Sequence, residues 1–251
     1  MTAALRLDGL VKRFGDTLAV DHLDLAVPPG SWYGLVGPNG AGKTTALSMA
    51  VGLLRPDAGA ARVFDVDVWR RPDEAKALLG VLPAGRSLPA RLTGPELLTY
   101  LGLLRCLPPA VVEERSAELV RVLDLEAARR TLLADCSTGT RRKFALAAAV
   151  LHDPQVLVLD EPFEAVDPVS AAGIREILRR YVARGRTVLM SSHVMALVEQ
   201  TCDHVAVVDA GRVVAAGPLD EVRGETSLDH AFAALVGAGS VPESTLAWLG
   251  G

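Results

Sequence analysis

The sequence predicts an α/β fold: a mostly parallel sheet flanked by helices, with an N-terminal antiparallel β subdomain and an inserted helical subdomain. Three observations predict it. The glycine-rich stretch Gly37-Pro38-Asn39-Gly40-Ala41-Gly42-Lys43-Thr44 stands between a short apolar run and a segment with apolar residues at helical spacing. The runs Val156-Leu157-Val158-Leu159 and Thr187-Val188-Leu189-Met190 are continuous and apolar, as strands buried on both faces of a parallel sheet are. Between these features, residues 84–135 turn to a mostly helical texture punctuated by prolines.

The glycine stretch fits the pattern G-x-x-x-x-G-K-[ST] at every fixed position. Residues 31–36 read as a strand before it and residues 45–54 as a helix after it, which is the context of a P-loop NTPase core. Glycines let the backbone curl so that successive N–H groups point inward. The following helix adds unpaired N–H groups and the positive end of its dipole. Gly37, Pro38, Asn39, Gly40, Ala41, Gly42, Lys43, Thr44 and Thr45 are therefore the expected seat for a nucleotide's phosphates. Lys43 can reach the β- and γ-phosphates, and the Thr44 hydroxyl can bind Mg²⁺.

Residues 5–10 and 23–27 alternate as strands do and form the expected antiparallel sheet. Phe14 falls in the turn between them, where an aromatic ring can stack on a base; alone, it reads as an ordinary loop aromatic. Residues 61–66 and 79–82 read as further strands. Thr93 opens a helix through Pro95 and Glu96, as N-caps prefer, and residues 111–123 form a second amphipathic helix. Ser137 caps a helix that runs to Leu151, by itself an unremarked capped helix.

The run 156–159 ends in Asp160-Glu161-Pro162. Acids at the carboxyl end of a central strand lie where open α/β sheets bind ligands. Neighbouring residues in a strand point to opposite sides, so the two acids can serve a metal and an attacking water separately. Residues 174–181 read as a helix. Ser191-Ser192-His193 closes the next strand, where His193 can contact a phosphate or open a helix. Residues 205–208 and 212–216 form a hairpin around Asp209-Ala210-Gly211. A last helix covers residues 228–235, and a linker-like stretch leads to a terminus expected to fray.

Composition narrows the partners. Half of the residues are hydrophobic, and the net charge of −4 is spread along the chain. No basic stripe offers a nucleic-acid footprint, so no nucleic-acid partner is expected. No run is long enough to span a bilayer, and no signal segment is visible, so no direct membrane insertion is expected. Cys106, Cys136 and Cys202 lie far apart without metal-like spacing, which suits reduced thiols in a cytoplasm.

Over residues 4–236 the order of these pieces resembles the nucleotide-binding subunit of an ATP-binding cassette (ABC) transporter. Within that family it looks most like exporter subunits whose permease is a separate chain. Gly37 to Thr44 matches the Walker A loop, and residues 156–160 match Walker B. Glu161 falls on the catalytic glutamate, Ser137 to Thr140 on the signature loop, and Ala165-Val166-Asp167-Pro168 on the D-loop. His193 falls on the switch histidine and Phe14 on the aromatic that stacks on adenine. The resemblance implies an ATPase domain at 1–236, with a core at 1–83 and 152–236, a helical subdomain at 84–151 and a tail at 237–251.

It also implies a mechanism with ATP and Mg²⁺ as cofactors. Two copies dimerise head to tail on binding ATP, each nucleotide lying on one Walker A loop and under Ser137 and Gly139 of the other copy. Thr44 and Asp160 hold Mg²⁺, Glu161 polarises the attacking water, and Lys43 and His193 hold the γ-phosphate. The expected location is the cytoplasmic face of the membrane, reached through the permease. Two positions depart from the family pattern: Thr138 stands where glycine is usual, and Ala84 where Gln is usual. Alanine can neither ligate a metal nor bond a water, so one metal contact is missing from that loop. The competing expectations are a nucleotide-binding regulator with little turnover and a P-loop kinase of small molecules.

Overall fold

The computed structural model describes residues 2–83, 85 and 88–237. Ala84 and the tail beyond Gly237 lie outside the described residues. The chain opens with an antiparallel hairpin, β1 (Leu5–Phe14) and β2 (Thr17–Val27). After β3 (Trp32–Val36) and α1 (Lys43–Ala50) it returns as β4 (Ala58–Val63) and β5 (Val66–Asp67). These complete a four-stranded sheet of order β2-β1-β4-β5. Then α2 (Pro72–Leu78) and β6 (Leu79–Leu82) lead into three helices, α3 (Gly94–Leu104), α4 (Pro109–Val122) and α5 (Thr138–Val150).

The remainder alternates: β7 (Val156–Leu159), α6 (Pro168–Ala183), β8 (Thr187–Ser192), α7 (Met195–Thr201), β9 (His204–Asp209), β10 (Arg212–Pro218), α8 (Leu219–Arg223) and α9 (Leu228–Val236). The second sheet has six strands in the order β10-β9-β3-β8-β7-β6. All its pairs are parallel except the β9–β10 hairpin.

This sheet divides the core. Alternate residues of a strand face opposite sides. Trp32, Val36, Leu157, Leu159, Val188 and Met190 pack under the helical layer with α3, α5 and α6. Tyr33, Leu35, Val156, Val158 and Leu189 pack on the other side, with α1 and the four-stranded sheet. Both faces are covered, which is why the central strands read as unbroken apolar runs.

Phe144 joins the helical layer to itself. It is fully buried, and a Cβ on Gly94 would lie 1.9 Å from its ring. Glycine at the start of α3 lets that ring fit. Thr93 caps α3 as the sequence leads one to expect, and Glu96 bonds back to it, which makes a capping box in both directions.

Several elements differ from the sequence expectation. The run 61–66 is not one strand: Phe64 and Asp65 turn the chain at φ 44° and 64°, separating β4 from β5. Non-glycine residues rarely take this conformation, so the alternating pattern hid the turn. Phe14 is the last residue of β1, paired with Thr17, and not a turn residue. The helix expected at 174 begins at Pro168, because Asp167 caps it by accepting from Val169 N and Ser170 N. The short helices α2, α7 and α8 have too few turns to show a period.

Two outcomes follow for stability. Phe144→Ala removes a fully buried ring and should cost about 3–5 kcal/mol, read as a lower urea midpoint; a cost near zero would mean that the helical layer repacks freely. His152 is mostly buried, with Nε2 3.0 Å from Leu79 O. Burial, helped by Arg105, pushes its pKa down to about 4. The unfolded chain takes up a proton at an ordinary histidine pKa, whereas the folded chain resists it until much lower pH. Stability is therefore full above the ordinary histidine range and falls as the pH drops from there toward about 4. Urea titrations at about pH 7 and about pH 5 should show that fall, and His152→Asn should shrink it.

Candidate functional site

The phosphate loop leaves the end of β3 in the middle of the parallel sheet and enters α1. Two of its glycines are sterically required. A Cβ on Gly37 would meet Val208 O at 2.2 Å, and one on Gly42 would meet Ala19 O at 2.3 Å. Gly42 also stands at φ 98° as the N-cap of α1, with no side chain capping the helix. The first N–H groups of α1 are thus left for another acceptor.

Lys43 folds back over its own loop. Its Nζ donates to Gly37 O at 2.7 Å and Pro38 O at 3.0 Å. Burial pushes the ammonium pKa down, while the nearby Glu161 and Asp160 carboxylates raise it. β3, β8 and β7 run parallel side by side, so the loop with Lys43 and both acids leave the sheet at the same edge. Pro38 is half-buried, Ala41 buried, Asn39, Gly40 and Thr44 exposed, and Thr45 half-buried.

Asp160 and Glu161 follow β7, but neither belongs to the strand, so the alternation expected for them does not apply. Asp160 continues the ladder through its N–H to Leu82 O, whereas Glu161 turns to φ 50°. The acids take different partners all the same. Asp160 is buried, and its Oδ1 accepts from Ser191 Oγ at the end of β8. Glu161 Oε2 lies 3.0 Å from His193 Nδ1. Ser191 was not singled out by the sequence. Its Oγ also accepts from Glu161 N at 2.9 Å, so one hydroxyl serves both acids. The only sequence signal was its place beside His193 at a strand end.

Phe14 is half exposed, 51%, with Lys12 Nζ 5.7 Å from the ring centroid. Its hairpin is tied to the phosphate loop through Gly211, whose N–H donates to Ala41 O at 3.0 Å and whose carbonyl accepts from Asp21 N at 3.0 Å. Arg212 adds an ion pair with Asp21. The turn at Gly211 was read only as a turn; here it bonds the phosphate loop to the hairpin that carries Phe14.

Ser137 and Gly139 stand apart from this group. Ser137 is exposed and caps α5, accepting from Thr140 N at 3.1 Å. Among the described residues, no hydrogen bond or ion pair joins either residue to the phosphate loop. Also among the described residues, no helix is long and apolar enough to cross a membrane.

The family model described as ABC transporter matches residues 20–164. The daunorubicin/doxorubicin resistance ATP-binding protein DrrA of Streptomyces peucetius is 42% identical over 222 residues, 88% of this chain and 67% of that protein. Nod factor export ATP-binding protein I of Cupriavidus metallidurans is 37% identical over 222 residues, 88% of this chain and 73% of that protein. Among solved structures, an ATP-binding subunit of an ABC transporter superposes with a TM-score of 0.87 at 28% identity, covering 93% of this chain and 99% of that one. The chain belongs to the ABC transporter family, as an ATP-binding and ATP-hydrolysing subunit.

Proposed function

We propose that this subunit drives export through a separate membrane permease, by closing on ATP as a head-to-tail dimer and reopening after hydrolysis. The observation that carries the reading is the pairing of Glu161 with His193 beside the buried Lys43. In this reading Lys43 neutralises the β- and γ-phosphates, and the glycine loop and the N-terminus of α1 cradle them. Glu161 polarises the attacking water, and His193 holds water and γ-phosphate in line. Phosphoryl transfer asks mainly for position and charge neutralisation, and this set supplies both. A carboxylate with a histidine partner also favours turnover over silent nucleotide binding.

The donor set suits Mg²⁺, which keeps waters and takes few protein ligands beside phosphate oxygens. The Thr44 hydroxyl at the start of α1 and the second oxygen of Asp160, whose Oδ1 is engaged by Ser191, are oxygen donors of that kind. Held by these donors, the ion would supply charge neutralisation for the phosphates.

The proposed second copy follows from where the two helix N-termini lie. α1 packs on one face of the parallel sheet and α5 on the other. Ser137 and Gly139 would meet the nucleotide of a partner copy, and Phe14 would stack on the base of the chain's own nucleotide. Attachment to the cytoplasmic side of the membrane would run through the permease. The names of the relatives above, in drug resistance and Nod factor export, favour export as the direction.

Two variants test this reading. Glu161→Gln keeps the shape and loses the base. ATP turnover should fall about a hundredfold or more, while size-exclusion chromatography with ATP shows a stabilised dimer. Turnover at the wild-type rate would dismiss Glu161 as the base. Ser191→Ala removes the hydroxyl shared by Asp160 and Glu161. It should lower the free energy of unfolding by about 1–3 kcal/mol and lower kcat more than it raises KM. Unchanged kcat would show that both acids hold their places without it.

A further inference from the structure

We infer that Arg142 is a positioning residue that couples the two ATP sites of the dimer. It does so by linking the loop at Ser137 to the Glu161 of the same chain; this rests on the reading proposed above. Arg142 lies in the second turn of α5, the helix that Ser137 caps. Its side chain is mostly buried, 14% exposed, and it leaves the helix toward the end of β7. There Nη2 donates to Asp160 O at 3.0 Å and to Glu161 O. An ion pair with Glu164 at 3.6 Å completes its partners. Its Nε is buried without an acceptor among the described residues.

The target of these bonds is an uncommon backbone. Glu161 stands at φ 50° and Ala165 at φ 56°, both in the left-handed region. Non-glycine residues stay there only when their surroundings over-determine them. Within the turn the Glu161 carbonyl accepts from Glu164 N at 3.1 Å, and two tertiary clamps add to it. From β8, Ser191 Oγ takes its N–H; from α5, Arg142 donates to its carbonyl. The two bonds flank the Cα of Glu161, so they set the direction of its side chain toward His193.

The neighbouring residues of α5 grip the same segment. Lys143 is buried, and its Nζ reaches Ser170 Oγ at 3.3 Å. A Cβ on Gly139 would lie 3.1 Å from Ala165 O. The first two turns of α5 are thus the seat of residues 160–170. A shift of the α5 N-terminus must be carried into the peptide that aims Glu161, and Arg142 is the polar link that carries it.

The consequence crosses the dimer. ATP held by the partner copy presses on Ser137 and Gly139 of this chain. Arg142 relays that contact to this chain's Glu161, which acts on the other nucleotide. Occupancy of one site thereby promotes hydrolysis at the second, which is positive coupling between sites.

The experiment compares Arg142→Met and Arg142→Lys with the full wild-type chain, with Glu161→Gln as the control for the base. Steady-state ATPase rates give kcat, half-saturation and the Hill coefficient; binding of a fluorescent ATP analogue and thermal melting accompany them. Methionine keeps the aliphatic volume and removes both donors, whereas lysine keeps a cation that can reach one carbonyl. Arg142→Met should lower kcat about tenfold to a hundredfold, leave analogue affinity nearly unchanged, and bring the Hill coefficient down toward unity. Arg142→Lys should recover part of both. If Arg142→Met keeps the wild-type kcat and Hill coefficient while Glu161→Gln is inactive, the coupling role is overturned and the base stands. If both Arg142 variants lose melting temperature and affinity together, with lysine no better than methionine, the contact is merely structural and the inference is also overturned. Glu161→Gln at the wild-type rate removes the base itself, and the coupling role with it.

Discussion

A buried ammonium at the carboxyl edge of the parallel sheet is the constraint on which the site depends. Lys43 is 7% exposed, and its Nζ has only the carbonyls of Gly37 and Pro38 within hydrogen-bond range among the described residues. A cation taken out of water that far needs compensation. The topology supplies it. β3 lies beside β8, and β8 beside β7, all parallel, so their carboxyl ends open on one side. Asp160 and Glu161 leave β7 at that edge; Ser191 lies in the last residues of β8, and His193 follows it. Removing either carboxylate would push the lysine pKa further down than burial already does. The two carboxylates therefore favour the charged form of the lysine against its burial.

The backbone around the loop leaves little slack. Gly37 and Gly42 touch carbonyls of β9 and β2, so the loop is wedged between the two sheets. Gly211 repeats the device from the opposite side, at φ 80° and with a Cβ position 3.0 Å from Ala19 O. Its bonds to Ala41 and Asp21 join the loop, the β9–β10 turn and the hairpin that carries Phe14. A small sheet that shares a core with α1 and is bonded at its rim can hold Phe14 at a fixed place, although the ring itself is half exposed.

The phosphate loop and the acids were legible in the sequence because each rests on a local pattern. Fixed glycine spacing reports backbone conformation directly, and an unbroken apolar run that ends in two acids reports a covered strand and its exit. Ser191 was not legible: a serine at a strand end has many ordinary uses, and its bond to Asp160 spans 31 residues. Arg142 was hidden for the same reason, since an arginine in the second turn of a helix usually reads as solvated surface. The conformation of Glu161 was missed because no glycine marks it; tertiary bonds hold it there. The turn at Phe64 and Asp65 failed in the same way. Helices such as α2 and α7 span 7 residues, too short for a period of 3.6 to declare itself.

The division of the core separates the two helix N-termini of the chain. Ala46, Leu47 and Met49 anchor α1 to one face of the parallel sheet, and Phe144, Leu146 and Ala147 anchor α5 to the other. Each anchor is apolar and fully or nearly buried, so neither helix can swing across without exposing its core face to water. Both helices nonetheless start with N–H groups suited to an anion: α1 has no side-chain cap, and α5 has only Ser137. A phosphate seated on α1 takes up the first of these sets and leaves the second unused within the chain. A second copy, inverted, would bring its α5 to that phosphate and offer its own α1 in exchange. The isologous arrangement satisfies both helix ends with two nucleotides and asks no rearrangement of either core.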